Sequence, residues 1–136
     1  MAGYGDEIAA LCDMSAQRMD ATMRGTVLEA TSRVVIRTPV DEGRARGDWQ
    51  ITVDTISRGA TDDVDTTGAK TIAAAVSILP AGQTAGKTIY LTNTMPYIRR
   101  LEQGHSKQGS HMIERTVNEL PEIIDKAAQA ARAAYP

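Results

Sequence analysis

Apolar positions in the first third of the chain recur at steps of three and four. Ile8, Leu11, Cys12, Met19, Met23, Val27, Ala30 and Val34 share one helical face, which predicts a helix from Glu7 to about Ile36 with Asp6 as its N-cap. Thr38 precedes Pro39, which pushes the backbone out of helical geometry and ends the element. Gly25 costs about 1 kcal/mol there relative to alanine and marks a place where the helix can bend. Arg18, Asp20, Arg24, Glu29 and Arg33 fall on the polar face and read as solvated.

Residues 39–48 are rich in turn formers and read as a loop. From Trp49 to about Ser57 the pattern changes to alternation: Trp49, Ile51, Val53 and Thr55 point one way, and Gln50, Thr52, Asp54 and Ile56 the other. Gly59 to Gly68, with Asp62, Asp63 and Asp65, reads as a mobile acidic loop. Ala69–Leu79 reads as an alanine-rich helix stopped by Pro80, Lys87–Thr92 as a second strand, and Met95-Pro96 as the start of a short helix to Gln103. A polar loop, Gly104–His111, leads into a helix over Met112–Ala134 with Ile113, Val117, Leu120, Ile124 and Ala127 or Ala128 at helical spacing. Pro121 must kink that helix or begin a second segment, and the alanine-rich end must pack closely on another backbone or fray. The expected fold is a single α+β domain spanning residues 1–136, with a long N-terminal helix, a small antiparallel sheet and a C-terminal helix packed together.

Composition narrows the function. The 136 residues include no Phe, one Trp, four Tyr and six Met, so aliphatics and alanine supply a thin core of the kind that gains stability from neighbouring subunits. A net charge of −2 with mixed signs argues against non-specific nucleic-acid binding, which needs clustered basic charge. The single Cys12 can form no internal disulfide, and no apolar run approaches the ~20 residues that span a bilayer. These features imply a soluble protein made in a cytoplasm, with no membrane partner.

Generic motifs fail their context tests. Ala81–Thr88 fits a relaxed phosphate-loop pattern, but that chemistry needs a preceding strand and a following helix, and here the order is reversed. Arg46-Gly47-Asp48 spells an adhesion tripeptide where a turn is wanted anyway. The Asp62–Asp65 cluster lacks calcium-loop spacing, and His105, His111 and Cys12 lack zinc spacing. Ser106 beside His105 has no nucleophile elbow, and Glu102 reads as an ion-pair partner of Arg99 or Arg100. No catalytic constellation, cofactor site or metal site emerges. Trp49, Tyr90 and Tyr97 are either scarce core aromatics or interface anchors, with the core reading ahead for Trp49 and Tyr90.

Two stretches carry a more specific signal. Thr38-Pro39-Val40-Asp41-Glu42-Gly43-Arg44-Ala45-Arg46-Gly47-Asp48-Trp49 resembles a segment of the tail-completion (neck) proteins of long-tailed bacteriophages. Asn93-Thr94-Met95-Pro96-Tyr97, followed by Leu101-Glu102-Gln103-Gly104-His105-Ser106-Lys107-Gln108, is similar to a second segment of the same family, in the same order and at roughly the same spacing. The match covers about a quarter of the chain. It departs after Gln108, where Gly109-Ser110-His111-Met112 lacks the family's proline and is one residue shorter.

The resemblance implies a non-enzymatic virion protein at the tail–head junction, assembled in the host bacterial cytoplasm. It implies a homo-oligomeric ring, a hexamer in the family, contacting tail-terminator or tail-tube proteins on one side and head-connector proteins on the other. DNA would pass through the lumen without specific binding, and the Asp62–Asp65 loop is a candidate for an acidic lumen wall. The interface candidates are Arg44, Arg46, Trp49, Tyr97, Arg99, Glu102, Ser106 and Gln108, with Arg44 and Arg46 reaching carboxylates of a neighbouring subunit and Asp41 capping local N–H groups. The alternative is a small nucleic-acid-binding regulatory module using Arg33, Arg37, Arg44 and Arg46, a patch weakened by Asp41, Glu42 and Asp48. A third reading, a small hydrolase using Ser106 or His105, lacks a supporting base.

Overall fold

The computed structural model describes residues 3–40, 43–57, 59–61, 63–79, 82, 84, 86–104 and 111–136. Its elements are α1 (Tyr4–Arg37), α2 (Arg44–Gly47), β1 (Gln50–Val53), α3 (Ala69–Ile78), β2 (Ile89–Thr92), α4 (Ile98–Glu102) and α5 (Met112–Ala134). This is the expected α+β arrangement: two long helices packed together, with a small sheet and shorter helices against them.

α1 and α5 make the most extensive contact and run antiparallel, since Arg37 meets Thr116, Arg33 meets Glu119, and Arg18 meets the carbonyl of Tyr135. Gly25 does not break α1, which is one helix of 34 residues. Its lack of a side chain instead lets α5 approach: a β-carbon there would sit 3.4 Å from Ala127 Cβ. The alanine-rich end of α5 therefore packs on another backbone, and Ala131 is buried. Pro121 lies within α5, on its exposed side, and the helix continues through it.

β1 and β2 pair antiparallel with Ile51 opposite Leu91 and Thr52 opposite Tyr90. The first strand stops at Val53, short of the expected Ser57, because Asp54 turns into the left-handed region at φ 66. There its carboxylate accepts the Thr88 N–H at 3.0 Å, and its own N–H donates to the Thr88 carbonyl at 2.7 Å. The core has two parts, Val34, Val35, Trp49 and Met112 in one and Ile51, Ala75 and Leu79 in the other, with the half-buried Leu91 packed against both.

Three expectations need correction. The stripe Ile8–Val34 is not the buried face of α1, since Ile8, Leu11 and Met19 are exposed while Asp20, Thr31, Val34 and Val35 are buried. Residues 3–17 lie beyond the end of α5 and are exposed on every face, with Met14 alone half-buried. The C-terminal end of the stripe reaches the core; its N-terminal end faces out. In α5 the expected stripe is covered only in part: Ile113 packs on the core and Ala127 lies against Gly25, whereas Val117 and Ile124 are exposed and Met112, Thr116, Ile123 and Ala131 are the buried residues.

Of the supposed solvated face of α1, Glu29 is exposed, but Asp20 is buried and Arg18, Arg24 and Arg33 are half-buried. Asp20 accepts from the N–H groups of Gly82 and Thr84 and from the Thr84 hydroxyl at 2.6 to 2.7 Å. Arg24 donates to the Leu79 carbonyl, and Arg33 and Arg37 both pair with Glu119. Boundaries also shift: α1 starts at Tyr4 with Gly3 rather than Asp6 at its N-cap, the loop 39–48 contains α2, β2 starts at Ile89 rather than Lys87, and α4 starts at Ile98 rather than beside Pro96. Pro80, expected to stop α3, lies outside the described residues; α3 ends at Ile78.

Candidate functional site

The first family-like segment is built around Thr38. Its hydroxyl donates to the Val34 carbonyl at 2.7 Å and accepts the indole N–H of Trp49 at 2.7 Å, so the end of α1 and the entry to β1 are tied at one oxygen. Arg46 spans the loop between them, donating to the backbone carbonyls of Ile36, Thr38 and Thr66. Burial lowers the affinity of its guanidinium for the proton, and nearby Asp65 opposes that. Gly43 and Gly47 are needed for contact. A β-carbon on Gly43, which sits at φ +85, would lie 2.9 Å from the Asp65 carbonyl carbon, and one on Gly47 would lie 2.5 Å from the Asp63 oxygen.

Asp48 and Asn93 then join the two family-like segments. Asp48 is buried and accepts from the Thr94 N–H at 2.5 Å, the Thr94 hydroxyl at 2.8 Å and the Thr61 N–H at 3.1 Å. Asn93 donates to the Ala45 carbonyl at 2.7 Å and accepts from the Met95 N–H at 3.0 Å. Two stretches more than forty residues apart thus become one unit whose buried polar groups satisfy each other.

The predicted interface residues divide on this geometry. Arg46 holds its own backbone rather than presenting itself to a neighbour, and Trp49, at 7% exposure, is a core residue. Glu102 pairs with neither Arg99 nor Arg100. Its carboxylate accepts from the N–H groups of Ile113 and Glu114 at 2.8 and 3.1 Å, satisfying helix-start donors of α5 that have no partner within the helix. Arg44, Tyr97, Arg99 and Arg100 are exposed, and a cavity of about 280 Å³ beside Arg44 is also lined by Asp48, Asp63 and Met95. Ser106 and Gln108, with His105 and the shortened loop through Ser110, lie outside the described residues, as do Asp41 and Asp62.

Asp65 cannot serve a lumen wall, because it is buried and caps α3. It accepts from the Gly68 N–H at 2.8 Å, the Thr71 N–H at 2.9 Å and the Thr71 hydroxyl at 2.8 Å. Burial alone would raise its pKa; the hydrogen bonds from Thr71 and Gly68 outweigh that and hold it below the ordinary carboxylate value. Asp63 is exposed. Of the arginines of the nucleic-acid reading, Arg33 and Arg37 are bound to Glu119, whose pKa their donated bonds depress, and Arg46 is internal. The adhesion-like tripeptide is likewise internal, since its Asp48 is buried.

Glu102, His111 and Glu114 place one ligating atom each within 4.8 Å of one another, a set that could hold a metal ion. Glu102 and His111 are nine apart in sequence, so no ligand-spacing signal marks them. Each already has a partner: Glu102 caps α5, and His111 Nδ1 lies 3.1 Å from Glu114. No helix among the described residues is long and apolar enough to cross a membrane. Compared with known proteins, the chain gives no significant match to a family model, a curated protein or a solved structure.

Proposed function

We propose that this chain is a structural subunit of the neck of a long-tailed phage, a tail-completion protein that assembles as a ring and helps join tail to head. The observation that carries the reading is the fastening of its two family-like segments. Asp48–Thr94 and Asn93–Ala45 lock them into one rigid unit, and the buried polar side chains of that unit hold shape. A rigid unit of this kind suits docking, where preorganisation lowers the cost of association. Exposed Arg44, Tyr97 and Arg99 are the residues offered to tail-terminator, tail-tube or head-connector proteins, and arginine and tyrosine are common anchors in such contacts.

The test uses tails from particles made without this chain. Purified protein added to them should associate and restore joining to DNA-filled heads, and an Arg44→Glu, Arg99→Glu double variant should restore it poorly. Heads that join tails equally well in the absence of the chain would overturn the proposal.

A further inference from the structure

α5 ends opposite Arg18, whose Nε donates to the Tyr135 carbonyl at 2.6 Å. Residues 3–17 of the α1 side therefore extend past the body of the protein for about 22 Å, and all but Met14 are exposed. A helix this short is marginal in water on its own. It also carries large apolar side chains: Tyr4 is 85% exposed, Ile8 60%, Leu11 64% and Met19 63%. With Ser15 between them, these residues step by three and four along one stripe.

The stripe does not end at the body. Its next turns, Thr22, Met23 and Thr26, form one side of a groove of about 560 Å³ whose other side is Ile124 and Ala128 of α5. The charged residues lining that groove are Arg18 and Arg132. The projecting segment carries Asp6, Glu7 and Asp13 and no Lys or Arg. Apolar stripe and acidic charge on the arm thus complement apolar floor and basic rim in the groove.

We infer that the projecting half of α1 pairs antiparallel with the α1 of a second copy of this chain, each arm lying in the α1–α5 groove of the other. Arm and groove lie on the same stripe of one helix. A two-fold axis across α1 near Ser15 therefore fills both grooves at once and sets the acidic arm of each copy against the Arg18 and Arg132 rim of the other. The paired stripe, from Tyr4 to Thr26, is about 33 Å long, or three heptads of coiled-coil-like contact. The two-fold contact closes a pair and does not by itself close a ring, so the ring of the reading above would be built from such pairs through a further surface; the inference rests on that reading for its biological purpose.

Sedimentation equilibrium of the full chain should show a concentration-dependent dimer. Leu11→Arg, at a position exposed in the single copy, should weaken the dimer at least about tenfold with helical content kept in circular dichroism. Spin labels on native Cys12 should lie close across the pair, while labels on Tyr4→Cys in a Cys12→Ser background should lie about 34 Å apart in their Cα positions. A monomer at all concentrations, a dimer indifferent to Leu11→Arg, or short distances at both labels would each overturn the antiparallel pairing. If such a chain still restored tails, the neck reading would stand without it; a dimer that pairs as described but never restores tails would remove the neck reading alone.

Discussion

Asp65 shows how much one carboxylate organises. It lies in a stretch of acidic and small polar residues that reads as a loop, yet its two oxygens take up backbone N–H groups of Gly68 and Thr71 and the Thr71 hydroxyl. Replacing it with Asn leaves these donors under-satisfied and should cost about 2 kcal/mol at pH 7, read from urea unfolding. Because the folded pKa is depressed, the ionised carboxylate's contribution is present above the unfolded value of about 3.9 and is lost as pH falls through the folded value. The gap between wild type and Asp65→Asn should therefore narrow toward pH 3. Trp49→Phe removes the bond to Thr38 and should cost about 1 kcal/mol, measured by circular dichroism because Trp49 is the sole tryptophan.

These residues also mark where local reading stops. A turn at 39–48 was legible from Pro39, Gly43 and Gly47, and a scarce Trp49 was a fair core candidate. That Asp20, Asp48 and Asp65 are buried was not legible, because their donors come from residues distant in the chain or from turns that exist only once the chain is folded. A charge on a helix face looks solvated until a loop brings N–H groups to it.

At the level of elements, Gly25 separates helix propensity from packing. Alanine there places its β-carbon at ordinary contact with Ala127 and should stabilise the protein by about 0.5–1 kcal/mol through better helix propensity. Leucine adds atoms with no space between α1 and α5 and should destabilise by about 1–3 kcal/mol. Opposite signs in thermal unfolding would confirm the close approach; stabilisation by both would refute it. The extents of α1, α3 and α5 were readable because periodicity and helix formers act locally. The buried stripe was not, since the covering neighbour selects both the face and the length of helix that is buried. β1 was read too long for a similar reason: Asp54 turns out of the strand to meet Thr88, just before the partner strand, a contact that alternation does not encode.

For the whole molecule, the apolar positions that the chain leaves uncovered matter as much as those it buries. Linkage of folding to self-association makes the melting temperature rise with protein concentration. The Leu11→Arg variant should lose that dependence and, at high dilution, melt within about 0.5 kcal/mol of wild type. Duplex-DNA binding followed by fluorescence anisotropy should be weak at both low and moderate salt, because Arg33, Arg37 and Arg46 are engaged within the chain. Tight, steeply salt-dependent binding would instead favour a nucleic-acid module.

Local pattern alone placed most helices and both strands, punctuated them near Thr38 and Pro96, and singled out two segments rich in turn residues and arginine, because propensity, periodicity and proline geometry act over a few residues. It did not say which face of each long helix would be covered, which acids would become internal ligands of backbone N–H groups, or that the two segments would lock through Asp48 and Asn93. Those outcomes depend on partners tens of residues away. Only the packed chain shows that α5 stops at Arg18 and leaves the apolar start of α1 without cover.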